Sequence, residues 1–253
     1  MAIRKSEAVI LNTIPYGETS KILTIFTRDF GKLAMMAKGA RNTKSKFGGA
    51  LEVFTHLSVI FYERETRDMQ YVSDVSIIHP FLRIRNSMNR TYTALAMVEI
   101  CNRVIHGNEE NQKLFDLLTQ TLDGVDAAEK FAVNGFLGFL IHVAELLGFK
   151  MEMDHCTHCP DMLAHEKLQF NFDLGRVACE RCPGVPQILS NDLSKESVAV
   201  MRQMSRSLAG VHNLNISERA RNEIFATVMR HLQYHVDELK TLHSLAYVSM
   251  NNG

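Results

Sequence analysis

The chain has no tryptophan, no excess of charge of either sign and no apolar stretch long enough to cross a membrane. Each absence removes a class of function. Aromatics are only 8% of 253 residues, so base-specific reading of nucleic acid, which leans on stacking side chains, has little to stand on. Lysine plus arginine equals aspartate plus glutamate at 28 each, and the whole molecule therefore steers no partner by net charge. The most apolar run, residues 131–149, is broken by Asn134, His142 and Glu145 and reads as a buried helix. The opening MAIRKSEAVIL is too short in apolar character for a secretory signal, which predicts a cytoplasmic protein. No phosphate-cradling P-loop and no nucleophile elbow occurs, so the usual NTPase and acyl-transfer motifs are missing. What is present is enough chain for one large domain or two modest ones, 46% apolar and free of low-complexity runs.

Four of the five cysteines fall in residues 155–182 as two Cys-x-x-Cys pairs, Cys156 with Cys159 and Cys179 with Cys182. Nineteen residues separate the pairs, enough for a short hairpin with Lys167–Phe172 as one strand and Gly175–Ala178 opening the return. Two such knuckles offer four thiolates at the corners of a tetrahedron, the arrangement of structural zinc. A four-thiolate shell leaves zinc no open position, so this centre would staple the fold and perform no hydrolysis. The rival readings are two disulfides, which the lack of a secretory signal disfavours, and a redox dithiol, which needs one pair in a βαβ setting. His155, His158 and His165 stand near as substitute ligands. The fifth cysteine, Cys101, sits in a helical pattern as a small core residue.

Along the chain, the first eighty residues read as five short strands. Ala8–Leu11 lead to a turn at residues 15–18, Lys21–Thr27 and Lys32–Ala37 form a hairpin about residues 29–31, and Phe54–Glu65 and Met69–Ile78 follow. Five strands in that length fit a small closed barrel of the OB type. From Pro80 the period becomes helical: residues 81–99, 114–122 and 127–149 predict three helices, the last apolar nearly all round. The polar cluster Ser190, Asn191 and Asp192 predicts the start of another helix, and Ser217 the N-cap of the last. The expected fold class is α+β: an OB-fold barrel over residues 1–80, then a helical domain over 81–253 interrupted by a zinc knuckle at 154–186.

Charge is distributed unevenly. Residues 1–80 carry 11 basic and 8 acidic side chains, net +3, while residues 151–190 carry 3 basic and 6 acidic, net −3. Within the first segment, Lys32, Lys38, Arg41, Lys44 and Lys46 lie in a stretch without one acid. Gly39, Gly48 and Gly49 would let the backbone approach a ligand, and Asn42 and Ser45 could bond phosphate oxygens. A basic loop beside a barrel face is where single-stranded nucleic acid lies on OB folds. A merely solvated loop is the plainer alternative. Phe26, Phe47, Phe54 and Tyr62 could stack on bases, although each also suits a core. His231 and His235 stand four apart with Glu238 beyond, but the glutamate that a zinc-protease helix places directly after its first histidine is missing.

The runs PYGETS at 15–20, FTRDFGK at 26–32 and KGARNTKSKFGGALEVFTHL at 38–57 resemble the RecO family of bacterial recombination mediators. The helix about Tyr92–Glu99, the LLGF at 146–149 and the two cysteine pairs agree with it. The resemblance implies an N-terminal OB barrel and a helical domain with a zinc knuckle. It implies a non-enzymatic, nucleoid-associated protein that binds single- and double-stranded DNA, anneals complementary strands and helps load the recombinase onto coated DNA. The partners implied are a RecR-like mediator and the acidic C-terminal tail of the single-strand-binding protein. Two departures stand out: Lys240-Thr241 replaces a Lys-Ser pair, and Pro160 follows the second cysteine where glycine is frequent. A zinc-stapled OB protein that binds RNA is the alternative reading. For the acidic tail, an apolar groove rimmed by Arg202, Arg206, Arg219 and Arg221 beside Met201, Met204 and Leu208 is the expected dock, because carboxylates favour the guanidinium fork.

Overall fold

The computed structural model describes residues 2–64, 66–107, 109–156, 168–179 and 190–250. The chain forms two compact units, residues 1–126 with 242–246, and residues 127–241 with 247–253.

The first unit begins with five strands, β1 (Ala2–Tyr16), β2 (Ser20–Thr27), β3 (Gly31–Ala37), β4 (His56–Glu63) and β5 (Met69–His79). They close into a barrel in the order β1-β2-β3-β5-β4, antiparallel except where β3 meets β5. Inward positions alternate with outward ones, as a closed sheet demands. Leu23 and Ile25, then Leu33, Met35 and Ala37, then Leu57, Val59 and Phe61 all meet in one buried cluster. Phe47 and Leu51, from the segment between β3 and β4, join the same core and anchor that segment.

β1 is far longer than the expected Ala8–Leu11. Its first half pairs with β4 and its second half with β2, and the register slips between Ile10 and Asn12. A bulge of this kind bends one strand around a barrel corner. Only the middle of β1 is buried, so its exposed ends carry no apolar pattern from which to read a strand. Opposite the bulge, Ile10 exchanges backbone hydrogen bonds with Phe54 and Thr55. The Arg85 guanidinium holds this corner: it donates to the carbonyls of Val53 and Pro80 and to Thr55 Oγ1, and lies 4.4 Å from the Phe54 ring centre.

The predicted first helix is two, α1 (Leu82–Arg85) and α2 (Met88–Val104), parted by a turn at residues 86–87. Both belong to the first unit, as does most of α3 (Gln112–Ala127). Cys101 is fully buried in α2, and burial pushes its thiol far above the usual range.

In the second unit, α4 (Ala132–Leu146) is buried on nearly every face and packs against α5 (Lys195–Arg206) and α6 (Glu218–His235). Ser217 caps α6 as expected, its Oγ accepting from the Ala220 N–H at 3.2 Å. The other predicted start is corrected. Ser190, Asn191 and Asp192 lie in a strand, and α5 is capped by Ser194, which accepts from the Ser197 N–H at 3.2 Å. Strand β6 (Glu152–Cys156) lies beside β8 (Arg176–Cys179), followed by β7 (Leu168–Asn171) and β9 (Ser190–Leu193), in one four-stranded sheet. The expected hairpin is its centre, with Leu168 paired to Cys179 and Asn171 to Arg176. Among the described residues, no helix is long and apolar enough to cross a membrane.

Candidate nucleic-acid interface

The segment after β3 is a chain of tight turns. Successive three-residue hydrogen bonds run from Asn42 to Gly39, Ser45 to Asn42, Gly48 to Ser45 and Ala50 to Phe47. Gly39 and Gly48 have φ of +72° and +50°, so the turns need glycine there for backbone geometry. Ser45 Oγ accepts from the Phe47 N–H, which makes it part of the turn. With Phe47 sunk in the core, the cations on either side of it are carried on a braced scaffold.

The five predicted cations separate into kinds. Lys32 is half-buried on β3, and its Nζ donates to the Asn102 carbonyl in the last turn of α2 at 2.6 Å. Burial lowers its pKa from the usual lysine value. Its charge complements the negative end of the helix. Arg41 is exposed, donates to the Gly17 carbonyl at 3.1 Å and so sits at the β1–β2 turn. Lys46 is exposed, bonds the Ser73 carbonyl on β5 and lies 5.1 Å from the Phe47 ring centre. Lys44 is exposed. Lys38 is exposed, with its ammonium 4.8 Å from the ring centre of Tyr71.

Lys38 leads to a recess of about 340 Å³ lined by Tyr62, Arg64, Arg67, Gln70 and Tyr71. Here the β4–β5 hairpin adds two cations and two aromatics to the basic segment. Gln70 shapes the hairpin from below: its amide accepts from the Arg64 N–H at 2.8 Å and donates to the carbonyls of Arg64 and Arg67 at 3.2 and 2.8 Å. Arg64, Arg67 and Tyr71 were not singled out in the sequence. The usable signal was alternation: Phe61 and Val72 face the core, so their neighbours Tyr62 and Tyr71 face out. Of the other candidate stackers, Phe26, Phe47 and Phe54 are all buried in the core.

Elsewhere, Cys156 and Cys179 are both buried at neighbouring strand ends, and the Cys179 N–H points at Cys156 Sγ from 3.3 Å. An N–H donor favours a thiolate, so these two residues fit half of a tetrathiolate shell. Cys159, Cys182, His158 and His165 lie outside the described residues, among which no group of three metal-binding side chains gathers. His231 and His235 are not a metal pair in this structure: each Nε2 meets a carbonyl, of Phe149 and Phe172 respectively, at 2.9 Å.

The arginine-rimmed groove is corrected. Arg221 is 2% exposed and donates to the carbonyls of Ile216 and Met250. Arg202 and Arg206 share Asp154, Arg219 pairs with Glu223, and Met201 and Met204 are core. Amphipathic α5 and α6 turn their apolar stripes inward, so Arg221, Met201 and Met204 are not available to such a groove.

Comparison with known proteins accounts for nearly the whole chain. The family model described as Recombination protein O N terminal matches residues 1–81, and Recombination protein O C terminal matches residues 85–245. The chain belongs to the RecO family. The DNA repair protein RecO of Chloroherpeton thalassium is 30% identical, over 96% of this chain and 96% of the relative. That of Salinibacter ruber is also 30% identical, over 94% and 90%. Both RecO halves thus have matches: the first takes in the barrel and its basic segment, the second the helices and cysteine pairs.

Proposed function

We propose that this RecO chain acts in DNA repair as a recombination mediator: it binds DNA through the outer face of its barrel, anneals complementary single strands and assists recombinase loading onto coated DNA. The observation that carries the reading is the convergence of Lys38, Arg64 and Arg67 with Tyr62 and Tyr71 at one recess, with Arg41, Lys44 and Lys46 exposed on the segment that follows Lys38. The strand order and the closure of β3 on β5 match an OB barrel, whose nucleic-acid contacts come from its strand faces and from the first and last hairpin loops. Here Arg41 adjoins the first hairpin, and Arg64 and Arg67 belong to the last. The names of the relatives support a role in repair.

Cations that neutralise phosphates hold a strand without reading it, and screening two strands from each other promotes their pairing with no catalytic residue. Zinc, held by Cys156, Cys159, Cys179 and Cys182, would supply a structural cross-link. A docking contact for the acidic tail of the single-strand-binding protein, and one for a RecR-like partner, complete the reading.

Annealing of complementary strands, naked and coated, is the test. The protein should anneal both. Deleting the coating protein's acidic tail should abolish annealing of coated strands alone. Failure to anneal naked strands overturns the annealing function, and indifference to the tail overturns the docking contact.

A further inference from the structure

The barrel's outer face carries more than charge. Register places Ile14 beside Ile22, Ile22 beside Met36, Met36 beside Tyr71, Tyr71 beside Tyr62, and Tyr62 beside Ile3. Residues directly paired across strands share a face. None of the six belongs to the barrel's central cluster: Ile3 and Ile14 are 68% and 52% exposed, Ile22, Tyr62 and Tyr71 are partly exposed, and Met36 is buried. A row of apolar and aromatic side chains, covered at Met36, therefore runs along the outer face of the barrel, and its two tyrosines stand next to each other in a recess walled by cations.

We propose that this recess captures a single unpaired base of DNA against Tyr62 and Tyr71, while Lys38, Arg64 and Arg67 take the flanking phosphates. The inference rests on the reading of the barrel as a DNA-binding surface and names what that surface selects. At about 340 Å³ the recess lies at the small end of ligand pockets, suited to one nucleotide. Lys38 and Arg67 now lie 4.8 and 5.8 Å from the Tyr71 ring centre. A base stacks on tyrosine more strongly than an exposed cation does, so an incoming base displaces them. The displaced cations remain within reach of that nucleotide's phosphates, and the exchange loses no charge contact. Gln70 keeps the hairpin backbone fixed throughout, so the recess is formed before the strand arrives. Duplex DNA keeps its bases in the stack and cannot enter. The recess thus gives the protein a preference for single strands that phosphate contacts alone would not supply.

The test compares a thymidylate oligonucleotide with one of equal length made of abasic sites, by fluorescence anisotropy on the full chain. Wild type should bind the thymidylate about tenfold more tightly than the abasic strand. Tyr71→Leu should lose about that factor on thymidylate, with no change on the abasic strand and no change in salt slope. Tyr71→Phe should retain wild-type affinity, and Tyr62→Leu should repeat the pattern of Tyr71→Leu. Equal affinity of wild type for the two strands, or full thymidylate affinity in both leucine variants, overturns base capture while leaving phosphate binding intact. Binding to neither strand overturns the DNA reading with it.

Discussion

Lys32 and Lys44 lie in the same acid-free stretch, yet the structure gives them different work, and substituting each separates the two. Lys44 is exposed on the braced turns, so it is available to a phosphate. Lys32 spends its ammonium on the Asn102 carbonyl at 2.6 Å. Counting Lys38, Arg41, Lys44, Lys46, Arg64 and Arg67 as the phosphate contacts, single-strand affinity should fall with salt at a log–log slope of about −4, from roughly −0.7 per contact. Lys44→Ala should flatten that slope by about 0.7, equally for every sequence, and should leave stability within about 0.5 kcal/mol of wild type. Lys32→Ala should leave the slope unchanged and cost about 1 kcal/mol of stability, because a charge-assisted bond to the end of α2 is lost. Binding titrations from low to moderate salt give the slopes, and urea unfolding gives the stabilities. A slope near zero would exclude the segment as a phosphate site. A slope that flattens for Lys32→Ala and not for Lys44→Ala would refute the division of labour.

Two further outcomes follow from the second unit. Metal analysis of the native protein should find one zinc per chain, and Cys179→Ser should lose it and destabilise this unit while DNA affinity persists; a metal-free protein that is folded and active would dispose of the structural zinc. Burial holds the His231 pKa below the usual histidine value, and His235 adds to the lowering; its Nδ1 is buried with no partner, so protonation there creates a donor without an acceptor. The unfolded chain therefore takes up this proton first: the stability His231 contributes is present above its ordinary pKa of about 6.5 and is lost as pH falls below it. The urea midpoint should drop between pH 7.5 and 5.5, by less in His231→Gln; an equal drop in both would remove His231 as the cause.

The residues alone determined much of this protein, because several of its features are local. β-Branched, aromatic and apolar runs between turns placed β2, β3 and β4, since both signals are properties of consecutive residues. The cap of α6 at Ser217 and the hairpin between the cysteine pairs were legible for the same reason. So was the concentration of positive charge after β3. Tertiary structure decided what depends on partners distant in sequence. The ends of β1 are strand because two different strands hold them, and nothing in their own polarity says so. Ser190–Leu193 pairs with β7 instead of opening a helix, since a sheet edge satisfies backbone groups that the isolated tetrapeptide could have offered to either structure. Arg221 was expected at the rim of a groove, but backbone carbonyls at Ile216 and Met250 receive its guanidinium in the interior. The recess itself is of this second kind. Lys38 and the pair Tyr62 and Tyr71 come from three strands or their ends, and only the closure of β3 on β5 brings them onto one face.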